Sequence, residues 1–145
     1  MKRLMIAVAL TGAVSLSACA TQPPVDTPAP SNSALTAYTW KLASGPASLT
    51  NADNVVMTFG EDGRISLAGL CNRMSGGFTE SGATVTITQM ASTMMACADN
   101  RLSNLEREVG GGIQGTHSMM MTRSEPPQLN MKMQSGQTWI FRGQR

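Results

Sequence analysis

The side chains in this 145-residue chain able to do chemistry are three cysteines, one histidine, a small set of acids and an unusual number of methionines. Cys71 and Cys97 stand in two short stretches, Gly69-Leu70-Cys71-Asn72-Arg73-Met74-Ser75-Gly76-Gly77-Phe78 and Ser92-Thr93-Met94-Met95-Ala96-Cys97. In an oxidising compartment, a thiol pair set in β-like segments reads as one structural disulfide; in a reducing one it reads as two free buried thiols. A bridge here closes a loop of about 27 residues, for which chain-entropy estimates give roughly 3.5 kcal/mol. A zinc site needs four sulfur or nitrogen ligands, and His117 is the only histidine, so the ligand count fails.

The remaining candidates are weaker. His117 could act as a base beside Ser118 or Ser75, yet no nucleophile elbow and no converging acid accompany it, and a polar strand residue is the simpler reading. Glu61, Asp62 and Glu80 fall in or beside turn-like stretches, where carboxylates are solvated rather than paired for catalysis. The thioethers of Met94-Met95 and Met119-Met120-Met121 could take soft copper. The alternation of Met131 and Met133 with Asn130 and Lys132 instead describes a strand burying one face, and methionine fills irregular cores well. Trp40 and Trp139 are either core anchors or an exposed platform for a carbohydrate or partner. No catalytic residue, metal or cofactor is expected.

The third cysteine belongs to a different kind of element. Met1-Lys2-Arg3 precedes an apolar run from Leu4 to Leu16, too short to span a bilayer, and then Leu16-Ser17-Ala18-Cys19. That is the layout of a secretory signal, and the last four residues resemble a bacterial lipobox, with cleavage before Cys19 and acylation of its thiol and new amine. The alternative is an ordinary signal peptide cut near Ala18 or Ala20. Two or three acyl chains anchor stably where one does not. Ala20 stands where an Asp would resemble an inner-membrane retention signal, so the expected address is the outer membrane with the domain facing the periplasm.

Residues 20–36 hold four of the seven prolines and almost no large apolar side chain, and so predict an extended tether. At about 3.1 Å per residue it could lift a domain up to roughly 50 Å from lipid. The expected organisation is a signal over 1–18, an acylated cysteine with its tether over 19–36, and one domain over 37–145. Cleavage removes Lys2 and Arg3, so eleven basic side chains become nine, against nine acidic ones. The sequence pI of about 8.6 therefore does not describe the mature chain. No basic stripe remains to follow a phosphate backbone, and nucleic acid is not an expected partner.

Within the domain, apolar residues recur with period two between turn dipeptides. Val55, Met57 and Phe59 lead through Glu61-Asp62-Gly63 to Ile65 and Leu67. Ser81-Gly82 separates Gly77–Thr79 from Thr84–Thr88, and Ser135-Gly136 separates Leu129–Met133 from Thr138–Phe141. Three hairpins predict an antiparallel sheet. Between them, Leu102, Leu105 and Val109 share a helical face over Asp99–Val109, capped by Asp99 or Asn100 and expected to end at Gly110-Gly111-Gly112. The fold class is mostly β (α+β): a strongly curved antiparallel sheet or small barrel with one packed amphipathic helix.

The run Gly-x-Cys-Asn-Arg-x-Ser-Gly at Gly69–Gly76, followed by Thr93-Met94-Met95-x-Cys97 and a short helix, resembles the META domain family of HslJ-like proteins. The resemblance extends from about Leu35 to Phe141, taking in Trp40-x-Leu42, Leu129-x-Met131 and Thr138–Phe141. It implies a small, mostly β, envelope-associated domain with a link to stress tolerance and without known catalytic residues.

Asn72 and Arg73, beside Cys71, are the candidate partner contacts, since a pinned loop can present an amide and a guanidinium rigidly. The competing reading has Asn72 making the turn and Arg73 pairing with an acid such as Glu106. The function expected is a monomeric, non-enzymatic lipoprotein, anchored in the membrane through its lipid and binding an envelope protein or cell-wall component. The alternative is a periplasmic inhibitor of a cell-wall hydrolase such as lysozyme, inserting Ser75-Gly76-Gly77-Phe78 as a loop; a hydrolase is a third, weaker reading.

Overall fold

The computed structural model describes residues 29–51 and 53–145. Cys19, the signal and most of the expected tether lie outside the described residues.

Alternation of buried and exposed residues marks each long strand. They are β1 (Thr39–Ser44), β2 (Val56–Phe59), β3 (Arg64–Ala68), β4 (Met74–Ser81), β5 (Thr84–Ile87), β7 (Gly115–Met121), β8 (Gln128–Lys132) and β9 (Thr138–Gln144). A two-residue strand, β6 (Ala91–Ser92), and helix α2 (Asn100–Ile113) lie between β5 and β7, and a short helix α1 (Asn32–Thr36) precedes β1. All pairings are antiparallel, in the order β3-β2-β1-β9-β8-β7-β5-β4, and β4 pairs back onto β3. The sheet therefore closes on itself as an eight-stranded barrel in which each strand neighbours the next in sequence. The three expected hairpins are β2–β3, β4–β5 and β8–β9, with Trp40↔Gly143 and Leu42↔Phe141 in the seam that joins first strand to last.

Up-and-down order places the β1–β2, β3–β4, β5–β7 and β8–β9 connections at one end of the barrel. The β5–β7 connection carries α2, whose Leu105, Val109 and Ile113 join the barrel core. At the other end lie the β2–β3, β4–β5 and β7–β8 connections, α1 and the C-terminal residues. Leu35 of α1 is fully buried there, and its carbonyl accepts a 2.9 Å hydrogen bond from Trp40 Nε1. α1 thus packs against the barrel although it precedes residue 37, with Leu35 as an apolar stopper at this end. Both tryptophans are buried, as are Met57, Met119 and Met131, so no tryptophan platform forms. Within the methionine triplet, Met119 is in the core while Met120 is half exposed on the opposite face.

Helix α2 starts as its sequence predicts, with Asp99 Oδ1 accepting from the amides of Arg101 and Leu102. It does not stop at the glycines. The helix runs through Gly110-Gly111-Gly112 to Ile113, whose carbonyl meets His117 Nε2 at 2.9 Å. The reason is close packing: a Cβ on Gly112 would stand 2.7 Å from the Trp139 ring, and one on Gly110 would stand 2.7 Å from the terminal methyl of Met74. The missing side chains let the last turn descend onto the sheet, and burial of Val109 and Ile113 offsets the poor helix propensity.

Two of the three glycines should therefore respond oppositely to alanine. Gly111 has open space around it, so Gly111→Ala should stabilise by about 0.5–1 kcal/mol through helix propensity. Gly112→Ala meets a rigid buried ring and should cost about 1–3 kcal/mol. Urea unfolding of the two variants checks the opposite signs.

Candidate functional site

The surface most elaborately held in place is the helix-capped end of the barrel, where the β3–β4 connection, the segment after β6 and α2 meet. Cys71 and Cys97 are joined by a disulfide, with Cα atoms 5.8 Å apart. Asn72 sits beneath that bridge. Its backbone amide donates to Glu106 Oε2 at 2.6 Å and its Nδ2 donates to Glu106 Oε1 at 3.0 Å. Its Oδ1 accepts from the Met95 amide at 2.7 Å and from Thr93 Oγ1 at 3.0 Å. One buried carboxamide thus joins three segments that are distant in sequence.

This arrangement corrects the expectation for Asn72. Only 9% of the residue is accessible, and both ends of its amide are occupied, so it shapes the surface rather than touching a partner. Arg73 is exposed. Its backbone amide is held by Thr93 Oγ1, and Glu106, the acid that could have paired with it, is taken by Asn72. Sequence reasoning passed over the tip of the pinned segment as a partner contact: Met94 is 99% exposed and Met95 68%, against a core of buried methionines. The signal was there in Thr93-Met94-Met95-x-Cys97, since a segment anchored by a disulfide a few residues on has little freedom to fold its side chains inward.

The same end is tied to the β1–β2 connection by charge. Arg101 grips Asp53 through its two terminal guanidinium nitrogens, at 2.8 and 3.0 Å, and the buried carboxylate also accepts from the Thr50 amide and hydroxyl. The Arg101 hydrogen bonds, with those of Thr50, hold the Asp53 carboxyl below its ordinary range despite burial. Glu108 accepts from the Ser48 hydroxyl and amide, which likewise lowers its pKa. Burial pushes the Glu80 carboxyl up, and its Oε2 has no hydrogen-bond partner among the described residues.

His117 is buried inside the barrel, closing the C-terminus of α2, whereas Ser118 follows it on the outward face of β7; no base and nucleophile are brought together by these two. Ser75 also faces outward, opposite Ser66 and beside Ala91. Ser75-Gly76-Gly77-Phe78, which the inhibitor alternative would insert as a loop, is part of strand β4, with Ser75–Gly77 paired to β3 and Phe78 to Ile87 of β5. Among the described residues no group of three or more His, Cys, Asp and Glu is arranged to hold a metal ion, and no helix is long and apolar enough to cross a membrane.

Comparison with known proteins agrees with this geometry. The META domain model matches residues 33–145, and the chain belongs to that family. The chain is similar to a protein from Burkholderia xenovorans solved by NMR, with 17% identity and a TM-score of 0.66 over 97% of this chain and 99% of the other. A second NMR structure aligns at 24% identity and a TM-score of 0.60, covering 77% of this chain and 93% of its own. At these identities the likeness speaks to the fold alone. No curated protein matches.

Two measurements follow from the site. Asn72→Ala keeps the backbone bond to Glu106 Oε2 but strips the side-chain partner from Glu106 Oε1, the Thr93 hydroxyl and the Met95 amide, and should destabilise by about 1–3 kcal/mol, while Arg73→Ala, which removes only an exposed side chain, should change stability by less than about 0.5 kcal/mol. Urea titrations compare them, and hydrogen exchange at Met95 should accelerate only in the first.

The shifted acids set the pH response. For Asp53 and Glu108 the native state binds protons less readily than the unfolded chain, so their contribution is full above the ordinary carboxylate range and is lost as pH falls through the lowered native values. Glu80 has the opposite sign, and its contribution is lost as pH rises. Glu108→Gln should accordingly flatten the fall in melting temperature on acidification, and Glu80→Gln should raise the melting temperature at neutral pH.

Proposed function

We propose that this META domain protein is a non-enzymatic envelope lipoprotein, anchored through Cys19 at the outer membrane. It presents the helix-capped end of its barrel to an envelope protein or cell-wall component, and contributes through that binding to envelope maintenance or stress tolerance. The observation that carries this reading is polarity. The chain enters the domain at α1, beside the buried Leu35, whereas the disulfide-pinned surface with Arg73, Met94 and Met95 is at the opposite end. An anchor placed before α1 would leave that surface pointing away from lipid. Exposed, rigidly mounted apolar tips beside an exposed guanidinium have the composition of a contact surface rather than of a solvated loop.

The inhibitor alternative needs an inserting loop at Ser75–Phe78, a segment that lies in β4.

Photo-crosslinking in intact envelopes tests the proposal. A photoreactive residue at Met94 should capture one defined partner, and the same residue at Ala83, in the turn at the α1 end, should not. Fatty-acid labelling should be present in the natural chain and lost in Cys19→Ala. Equal capture from both positions, or a protein that takes up no fatty acid and stays with membranes in Cys19→Ala, would overturn the reading. Inhibition of a muramidase at equimolar protein would favour the alternative.

A further inference from the structure

A second feature lies on the side of the barrel, away from the pinned end. Lys41 of β1 and Arg142 of β9 stand directly opposite one another in the seam that closes the sheet. Their strand neighbours Trp40, Leu42, Phe141 and Gly143 are buried, so alternation puts both charged side chains on the outer face. Opposed residues in an antiparallel pair have Cβ atoms about 4.5–5.5 Å apart, and like charges at that spacing destabilise the sheet. Neither residue makes an ion pair among the described residues, where the ion pairs are those of Arg101 with Asp53 and Asp99.

The two cations border a cleft of about 340 Å³, whose other polar walls are Thr50, Asn51, Asp53 and Gln144. Asp53 does not serve as their counter-ion, because both its oxygens are engaged by Arg101 and Thr50. Asn51 and Gln144 are exposed and add carboxamide donors to the rim. Two unneutralised cations on adjacent strands, over a concavity walled by neutral donors and by an Asp53 carboxylate already paired with Arg101, form a surface that lacks an anion of its own.

We propose that this cleft binds a phosphate-type oxyanion. The planar fork of Arg142 can engage two oxygens, Lys41 supplies a compact positive charge to a third, and the Asn51 and Gln144 amides border the fourth. A carboxylate offers too few acceptors to use this set. A cleft of this volume, at the low end for ligand sites, takes one group rather than a polymer, in keeping with a chain that has no basic stripe. The same chemistry is offered by a phosphorylated lipid headgroup and by a free phosphate. The site does not depend on the contact surface proposed above.

NMR titration of the mature chain, residues 19–145 with Cys19→Ala, against inorganic phosphate tests the site, the missing signal and acyl group keeping membrane insertion from masking weaker contacts. Saturable shifts are expected at Lys41, Asn51, Arg142 and Gln144, and affinity should fall about tenfold or more in Lys41→Gln and in Arg142→Gln. Without phosphate both variants should melt at or above the parent, because the repulsion is gone. Vesicles of phosphatidic acid, whose monoester offers three free oxygens, and of phosphatidylcholine separate the sources. Retention by the anionic vesicles alone, lost in Arg142→Gln, assigns a lipid headgroup; saturable phosphate shifts without retention assign a soluble phosphate. Phosphate shifts reproduced by sodium chloride at matched ionic strength, or unchanged in both variants, would overturn the proposal.

Discussion

Pairing of β1 with β9 is the contact on which the rest of this molecule depends. Until the first strand meets the last, the sheet has two open edges and an apolar face with nothing to cover it. Once they meet, the long strands have neighbours on both sides, and the backbone groups of the seam are hydrogen-bonded rather than left at an edge. A bulge between Leu42 and Ser44 bends β1 where the seam runs into the loops under α2. The seam also aligns Trp40 with Gly143, so the largest side chain of the N-terminal half lies across from a residue with no side chain to compete for the space.

Closure creates a second requirement, since a small barrel must be filled and its ends stopped. The chain is poor in aromatics and meets the first need with methionine: Met57, Met74, Met90, Met119, Met131 and Met133 are all buried. Their unbranched side chains adapt to a tapered interior that branched residues would fill less evenly. The ends are stopped unequally. At one, a single turn of helix presents Leu35 and offers its carbonyl to Trp40. At the other, a fourteen-residue helix lies across the opening and is fastened at several points, by Arg101 to Asp53, Glu106 to Asn72 and Glu108 to Ser48. None of these fastenings lies within the barrel wall, so the cap is held by loops and the loops by the cap.

What could be read in the sequence was local. The hairpins at Glu61-Asp62-Gly63, Ser81-Gly82 and Ser135-Gly136 were legible because alternation and turn residues lie side by side in the chain, and the Asp99 cap because it acts within one turn. What escaped was set by residues far away. The helix passes through three glycines because Trp139 and Met74 approach it, and neither is near in sequence. Asn72 could be placed beside the disulfide, but its inward turn depends on Glu106 and on the backbone of Met95. Lys41 and Arg142 look unremarkable singly and become a pair only when the barrel closes. Sequence periodicity reports which face a residue occupies; it is silent on what the opposite element brings to that face.

A closed meander has no privileged starting point. The seam between β1 and β9 is one antiparallel pairing among eight around the wall, and Arg145 reaches Tyr38 across it with a 3.1 Å hydrogen bond. The natural ends of the barrel therefore lie side by side, and a short linker could join them while the chain is reopened at the β4–β5 turn, where Gly82 has nothing within 4 Å of a would-be Cβ. Circular permutation at that turn would move the chain's beginning around the wall while keeping every strand pair. The order of strands along the gene is thus separable from the architecture they build, and the point of attachment to a leader or anchor is a property of the break, not of the barrel.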